Sequence, residues 1–169
     1  MTPSLPGTID TLFVNCHVAT MTGNALSVME KAALAVTGQT ISWVGKEKDL
    51  PENVKSQCQK IIDCQRGWIL PGFVDCHTHL VWGGSRSNEF GMRLKGATYE
   101  EITKKGGGIL STVAATRQAS GETLFTRASK RVKALLHQGV TTLEIKSGYG
   151  LDLETELKIL EVVRQLGQA

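Results

Sequence analysis

From Phe73 onward the chain alternates between strand-like and helix-like segments, and this order constrains the fold more than any other feature. The segments are a strand ending near residue 79, helical patterns over 109–119 and from 124 to about 139, a strand at 140–145 and a helix that Asp152 can cap. Parallel strands need crossover connections, usually helices, whereas antiparallel strands can be joined by tight turns. The order therefore predicts parallel βαβ units.

The part of the chain before this region is rich in β-favouring residues. Short runs of this kind are Ile9 to Val14, Ala33 to Val36, Ile41 to Val44, Ile61 to Asp63 and Trp68 to Leu70. The turn residues 37–40 between the second and third runs predict a hairpin. We interpret residues 1–68 as part of a small β-sandwich and residues 69–169 as a separate α/β region. An independent small β-domain is the alternative.

Two histidines, His77 and His79, close an apolar run that begins at Ile69. Side chains alternate along a strand, so both imidazoles project to one side and can meet a single metal ion. Imidazole suits zinc and iron, and a catalytic site keeps one position open for water, so other ligands are needed from elsewhere. A hydrogen-bonded pair in the core or on the surface is the alternative.

Composition describes an ordinary globular chain and argues against several function classes. Of 169 residues, 41% are hydrophobic and 21% charged, with a net charge of +3. The basic pairs at 104–105 and 130–131 are isolated, so we interpret them as solvated helix faces and predict no nucleic-acid partner.

The sequence also predicts a cytoplasmic location without a membrane partner. Residues 1–7 lack the basic start and apolar stretch of a secretory signal, and no apolar run reaches membrane-spanning length. The four cysteines show no C-x-x-C spacing, so we expect reduced thiols. Cys76 is interpreted as a packing residue.

Four segments carry a family resemblance. LPGFVDCHTHL at 70–80 resembles the first barrel strand of the amidohydrolase superfamily. GGSRSNEF at 83–90, GATYEEI at 96–102 followed by GGGI at 106–109, and EIKSGYGLD at 144–152 are similar to the imidazolonepropionase family within it. The resemblance is strongest from Pro71 to Leu166.

This resemblance implies an α/β fold, an incomplete (β/α)8 TIM barrel of the metal-dependent hydrolase type. A closed barrel takes about 250 residues, so only the first two βα units would lie in residues 69–169. Residues 1–68 would form the N-terminal part of a composite β-sandwich that strands from elsewhere complete, which leaves an open sheet edge.

The implied activity is metal-dependent hydrolysis of the cyclic amide of 4-imidazolone-5-propanoate to N-formimidoyl-L-glutamate in histidine degradation. His77 and His79 would bind one zinc or iron ion. Arg86 would anchor the substrate's propionate, because a guanidinium matches a carboxylate in two prongs. Its alternative is a solvated loop position or a partner for Glu89. Tyr149, between two glycines, would present its hydroxyl to the substrate, with a plain turn as the alternative.

The resemblance also places a further metal-binding histidine and aspartate, an acid/base glutamate and a substrate-contacting histidine beyond residue 169. No catalytic acid or base is therefore assigned here, and the chain alone is expected to be inactive. Lys146 stays unassigned, with an ion pair as its simplest role. A homodimer is a further implication. Another amidohydrolase acting on a cyclic amide or heterocyclic amine, and a noncatalytic module, are the alternatives.

Overall fold

The computed structural model describes residues 8–169; residues 1–7, on which the prediction about a secretory signal depends, lie outside that range. The chain divides into two compact units between Pro71 and Gly72. The first unit is a five-stranded sheet, and the second combines a pair of parallel strands with five helices. The mixed α/β class is the one that the sequence predicts.

The sheet of the first unit is organised around one long strand. Its strands are β1 (Ile9–Ala19), β2 (Val28–Thr37), β3 (Thr40–Lys46), β4 (Cys58–Asp63) and β5 (Trp68–Ile69). The order is β3-β2-β1-β4, and β5 also pairs with β1. β1 is antiparallel to β2 and parallel to β4 and β5. The β2–β3 pairing confirms the predicted hairpin.

The main core of the first unit packs around strands β1, β2 and β3. Its buried members are Ile9, Leu12, Val14, Ala33, Ala35, Trp43 and Val54. The register of β1 shifts around Asn15, whose φ of 51° is a left-handed value. Such a bulge bends the strand. Residues 8–71 form a single sheet, so the second sheet of a sandwich stays a prediction.

The second unit has the predicted strand and helix order. Its elements are β6 (Phe73–Thr78), α1 (Ser87–Leu94), α2 (Tyr99–Lys104), α3 (Ile109–Gln118), α4 (Gly121–His137), β7 (Val140–Ile145) and α5 (Leu153–Leu166). β6 and β7 pair in parallel, as the alternating pattern predicts. The single run expected from Ile69 to His79 is two strands, because Pro71 between them has no N–H for a ladder hydrogen bond.

A compact cluster packs helices α4 and α5 against the ends of the strands. Its buried members are Val81, Leu124, Ala128, Ile159 and Val162, with Ile145 and Tyr149 packed against them. The loop after β6 and the loop after β7 are thereby held by one core. By contrast Cys76, interpreted above as a packing residue, is exposed on β6, so that interpretation was wrong.

The last helix, α5, begins as predicted but buries a different face. Asp152 caps it by accepting a 2.8 Å hydrogen bond from the Thr155 amide. The sequence predicts Leu153, Leu157, Leu160 and Val163 on the inner face. The three leucines are exposed, Leu153 by 76%, whereas Val163 is partly buried against the core beside the buried Ile159 and Val162. Adjacent helix positions differ by about 100°, so α5 carries two apolar stripes, and packing against α4 selects one.

No helix in the described range combines the length and the apolar character needed to span a bilayer.

Candidate active site at the ends of β6 and β7

The structure places the two predicted metal ligands side by side. His77 is the next-to-last residue of β6, and His79 follows the strand's end. Their ring centroids lie 5.4 Å apart with the rings nearly perpendicular. Nδ1 of His79 is buried and has no hydrogen-bond partner among the described residues. Buried polar atoms are nearly always paired with protein, water or ligand groups, so an unpaired imidazole nitrogen here is compatible with binding an additional group.

Tyr149 lies beside the second histidine. Its ring centroid is 5.7 Å from that of His79 in an edge-to-face arrangement. The neighbouring Gly148 has a φ of 145°, and a Cβ there would lie 3.3 Å from His79 Nδ1. The positive φ and the close approach of this backbone to the imidazole both favour glycine at this position.

The Tyr149 loop is held from helix α5. One carboxylate oxygen of Glu156 accepts hydrogen bonds of 2.8 Å from the amides of Gly150 and Leu151. Burial raises the pKa of Glu156, but the backbone hydrogen bonds, that of Leu151 foremost, outweigh it and place the pKa below its ordinary value. Glu156 is therefore ionised at neutral pH and fixes the loop that presents Tyr149.

Arg86 follows β6 and stands at the start of α1. Its Nε donates a 2.8 Å hydrogen bond to Glu89, so the ion pair considered above as an alternative is present. Arg86, Glu89, Phe90 and Arg93 line a shallow cavity of about 240 Å³. Among the described residues, no hydrogen bond joins Arg86 to the histidines or to Tyr149.

Two arginines of α4 hold the segment between His79 and Arg86, a role that sequence reasoning missed. Arg131 Nη1 donates to the Leu80 carbonyl at 2.7 Å and its guanidinium lies 3.5 Å from the Trp82 ring. Arg127 Nη1 donates to the Gly84 carbonyl at 3.0 Å. The interpretation of 130–131 as a solvated basic pair was therefore wrong for Arg131. The spacing of four residues on one helix face was the available signal.

The charged residues near the strand ends have local roles. Glu144 accepts a 3.3 Å hydrogen bond from the Thr78 amide, and Asp75 accepts one of 3.3 Å from the His77 amide. Lys146 Nζ lies 4.0 Å from Glu144, the simple ion pair that the sequence suggested. Within residues 8–169 no group of three or more His, Cys, Asp or Glu side chains is arranged to hold a metal. The described residues thus provide two imidazoles and no complete ligand set.

Comparison with known proteins finds imidazolonepropionases that are similar to most of this chain. The sequence is 50% identical over 157 residues to the imidazolonepropionase of Acinetobacter baumannii and 53% identical over 156 residues to that of Colwellia psychrerythraea. This chain matches the N-terminal portion of imidazolonepropionase. The match covers 93% of this chain but 38% of the Acinetobacter imidazolonepropionase. A search against protein-family models found no match.

Two solved structures share the fold of this chain. A triazine hydrolase variant superposes with a TM-score of 0.60 at 21% identity, covering 93% of this chain and 33% of that chain. A. niger ochratoxinase gives a TM-score of 0.55 at 17% identity, covering 95% of this chain and 29% of that chain. At these identities the similarity concerns the fold alone.

Proposed function

We propose that this chain is the N-terminal portion of a metal-dependent imidazolonepropionase. The reaction is hydrolysis of the cyclic amide of 4-imidazolone-5-propanoate to N-formimidoyl-L-glutamate in histidine degradation. The observation that carries the proposal is the grouping of His77, His79 and Tyr149 at the ends of two parallel strands. The identity of 50% to imidazolonepropionases over most of the chain supports the choice of substrate.

In this proposal β6 and β7 are the first two strands of a (β/α)8 barrel. Barrel enzymes build their active sites from the C-terminal ends of strands and the loops that follow. His77 lies at the end of β6, His79 directly follows that strand, and Tyr149 follows β7, positions that agree with this architecture. Residues 8–71 then belong to a composite β-domain.

His77 and His79 would supply two imidazole ligands to one zinc or iron ion. The unpartnered, buried Nδ1 of His79 and the closeness of the two rings fit such a role. When bound, the metal lowers the pKa of a water molecule and polarises the ring carbonyl. Imidazole ligands suit either metal, so the metal is zinc or iron.

Arg86 and Tyr149 would bind the substrate. The described residues leave both Nη groups of Arg86 without acceptors, and these can hold the propionate in two prongs. The Tyr149 hydroxyl can donate a hydrogen bond to the imidazolone ring of the substrate or accept one from it. Glu156 fixes the loop that carries this phenol.

The decisive experiment measures metal content and turnover in the full-length gene product. We expect about one metal ion per chain and conversion of imidazolone propionate. His77→Ala and His79→Ala should each abolish turnover and lower metal content. His137→Ala, at the end of α4, is the matched control and should change neither. Full turnover after replacement of both histidines would refute the proposal.

Substrate comparison tests the Arg86 anchor against the alternative of a different amidohydrolase. Arg86→Ala should raise KM for imidazolone propionate at least about tenfold, the effect of losing one charged hydrogen-bonded contact. The corresponding propionamide should be affected much less. An equal rise in KM for both substrates would favour a different amidohydrolase, one that does not bind the substrate through its carboxylate.

The proposal includes a cytoplasmic location and a homodimer. All four cysteines lie in the described part of the chain as free thiols, which suits a reducing compartment. Light scattering of the full-length gene product measures its oligomeric state.

A further inference from the structure

We propose that Glu89 is a positioning residue for Arg86, holding the guanidinium by its Nε so that both Nη groups face the substrate carboxylate. This inference rests on the function proposed above. Glu89 would not touch the substrate; it would set the orientation in which Arg86 meets it.

The first support is the enclosure of the Glu89 carboxylate. Its side chain is 14% exposed. Oε2 accepts the Arg86 Nε hydrogen bond at 2.8 Å, whereas Oε1 accepts from the Gly108 amide and lies in hydrogen-bond contact with the Ser111 hydroxyl, both at 3.0 Å. A Cβ at Gly107 would lie 3.1 Å from the Glu89 Cδ, so a side chain there would crowd the carboxyl group. The carboxylate is thus fixed to the start of α3 on one side and to Arg86 on the other.

The second support is a contrast with another arginine and glutamate pair in this unit. Arg164 contacts both oxygens of Glu161, through Nε at 2.9 Å and Nη2 at 2.7 Å, and both side chains are well exposed. In the Arg86 pair, by contrast, Oε1 of Glu89 accepts from residues at the start of α3, and the one hydrogen bond to the guanidinium is that from Nε to Oε2. The Arg86 contact is therefore limited to Nε, and the edge of the guanidinium that binds a carboxylate in two prongs stays available.

The charge state agrees with this role. Burial raises the pKa of the Glu89 carboxyl, but the hydrogen bonds from Arg86, Ser111 and the Gly108 amide outweigh it and hold the pKa below its ordinary value. At neutral pH Glu89 is an anion, and the charged hydrogen bond to Arg86 persists. Arg86 directly precedes α1 and Glu89 lies three residues later in its first turn, a spacing at which such pairs can form.

The test compares KM and kcat of variants of the full-length gene product. Glu89→Gln keeps an oxygen for the Gly108 amide and Ser111 but cannot accept from Arg86 with an ionised group. We expect KM for imidazolone propionate to rise about tenfold, with kcat within about twofold of wild type. Glu161→Gln removes the same charge from the exposed pair and should leave both constants unchanged.

A double-mutant cycle separates positioning from a structural role. In an Arg86→Ala background, Glu89→Gln should raise KM no further, because there is no guanidinium left to orient. A KM increase that persists there, an unchanged KM in the single variant, or a loss confined to kcat would overturn the inference. Glu89→Asp retains the charge on a shorter side chain and should raise KM similarly. This variant provides the test if Glu89→Gln folds poorly.

The outcomes also distinguish this inference from the proposed function. No turnover in the wild-type gene product, or an Arg86→Ala variant with unchanged KM, would refute the proposed substrate anchor and the inference with it. A raised KM in Arg86→Ala with an unchanged KM in Glu89→Gln would refute the inference alone.

Discussion

At the scale of single residues, Gly148 links the two strand ends. Its backbone passes beside the imidazole of His79, and a Cβ at this position would lie 3.1 Å from Cε1 of that ring, closer than most Cβ contacts. Gly148 lies between the proposed ligand histidine and the tyrosine proposed to contact the substrate, so it has a steric function in addition to its role in the turn.

Gly148→Ala should lower the metal affinity of the full-length gene product by at least about tenfold, the effect usual for disturbing the surroundings of a metal ligand. The new methyl group would lie 3.1 Å from Cε1 of His79 and displace the ring. Metal titration measures the effect. Gly96→Ala is the control, since Gly96 has a φ of 90° but open space around its Cβ. Equal metal affinities for the two variants would contradict the steric explanation.

Cys16 is a buried thiol whose protonation should affect stability. Its side chain is 1% exposed and donates to the Ala32 carbonyl at 3.0 Å. Burial, with a smaller contribution from neighbouring Cys64, raises the pKa of Cys16 from 9.0 to about 11. Because the folded state holds this proton more tightly than the unfolded state, the stabilisation is complete below pH 9.

We predict that the free energy of unfolding decreases by about 3 kcal/mol between pH 9 and pH 11 through this group, at about 1.4 kcal/mol per pKa unit. Urea titrations at several pH values measure the slope. Cys16→Ala should remove most of the decrease. Thiol labelling at pH 8 gives a second readout: the exposed Cys76 should react rapidly and Cys16 only after unfolding. Rapid labelling of Cys16 in the folded chain would contradict the prediction.

At the scale of elements, α3 and α4 determine the path of the loop after β6. The buried hydroxyl of Thr116 accepts a 2.9 Å hydrogen bond from the Gly83 amide, close to where the α4 arginines bind the loop carbonyls. A Cβ at Gly83 would lie 2.5 Å from the Ala115 carbonyl oxygen, so the loop lies directly on α3. The position of Arg86 depends on these contacts.

Thr116→Val should destabilise the chain by about 1–3 kcal/mol, because it leaves the Gly83 amide without its acceptor. Chemical denaturation measures the change. Thr116→Ser retains the hydroxyl and should lose clearly less stability. A larger loss in Thr116→Ser than in Thr116→Val would show that the methyl group, and not the hydrogen bond, matters at this position.

Elements were predictable from sequence where local signals are strong. The cap of α5 by Asp152 was predicted from a short-range pattern, and the structure shows it. The strand predicted at residues 140–145 is likewise observed with the same bounds. The buried face of α5 depends on which neighbour it packs against, and with two apolar stripes the sequence alone does not decide. Arg131 was misassigned for a similar reason, since its carbonyl partners lie about fifty residues away in sequence.

At the scale of the whole molecule, the candidate site is partial. Spacing along one strand was sufficient to pair His77 with His79, and the family resemblance was needed to single out Arg86 and Tyr149. The close approach of Gly148 to His79, and the link from Glu89 to α3, are tertiary contacts with no local signature. These two contacts could be identified only from the structure.

We predict that the 169-residue chain alone shows no turnover of imidazolone propionate. Two imidazoles hold a metal weakly, and residues 8–169 contain no three-residue ligand cluster. The full-length gene product, assayed in parallel with the same metal, is the control. Metal-dependent formation of N-formimidoyl-L-glutamate by the isolated chain would contradict the prediction.

The length of β1 has a consequence for the order of assembly during synthesis. Ile9 pairs with Cys58 and Val18 with Ile69, so the parallel partners of β1 lie about fifty residues further along the sequence. A β-hairpin such as β2–β3 can close within about 1–10 μs of leaving the ribosome. The parallel edge must wait until Ile69 has emerged, and distant pairings of this kind are slow. Until then β1 has an unpaired edge in the nascent polypeptide, and an unpaired strand edge can associate with other chains.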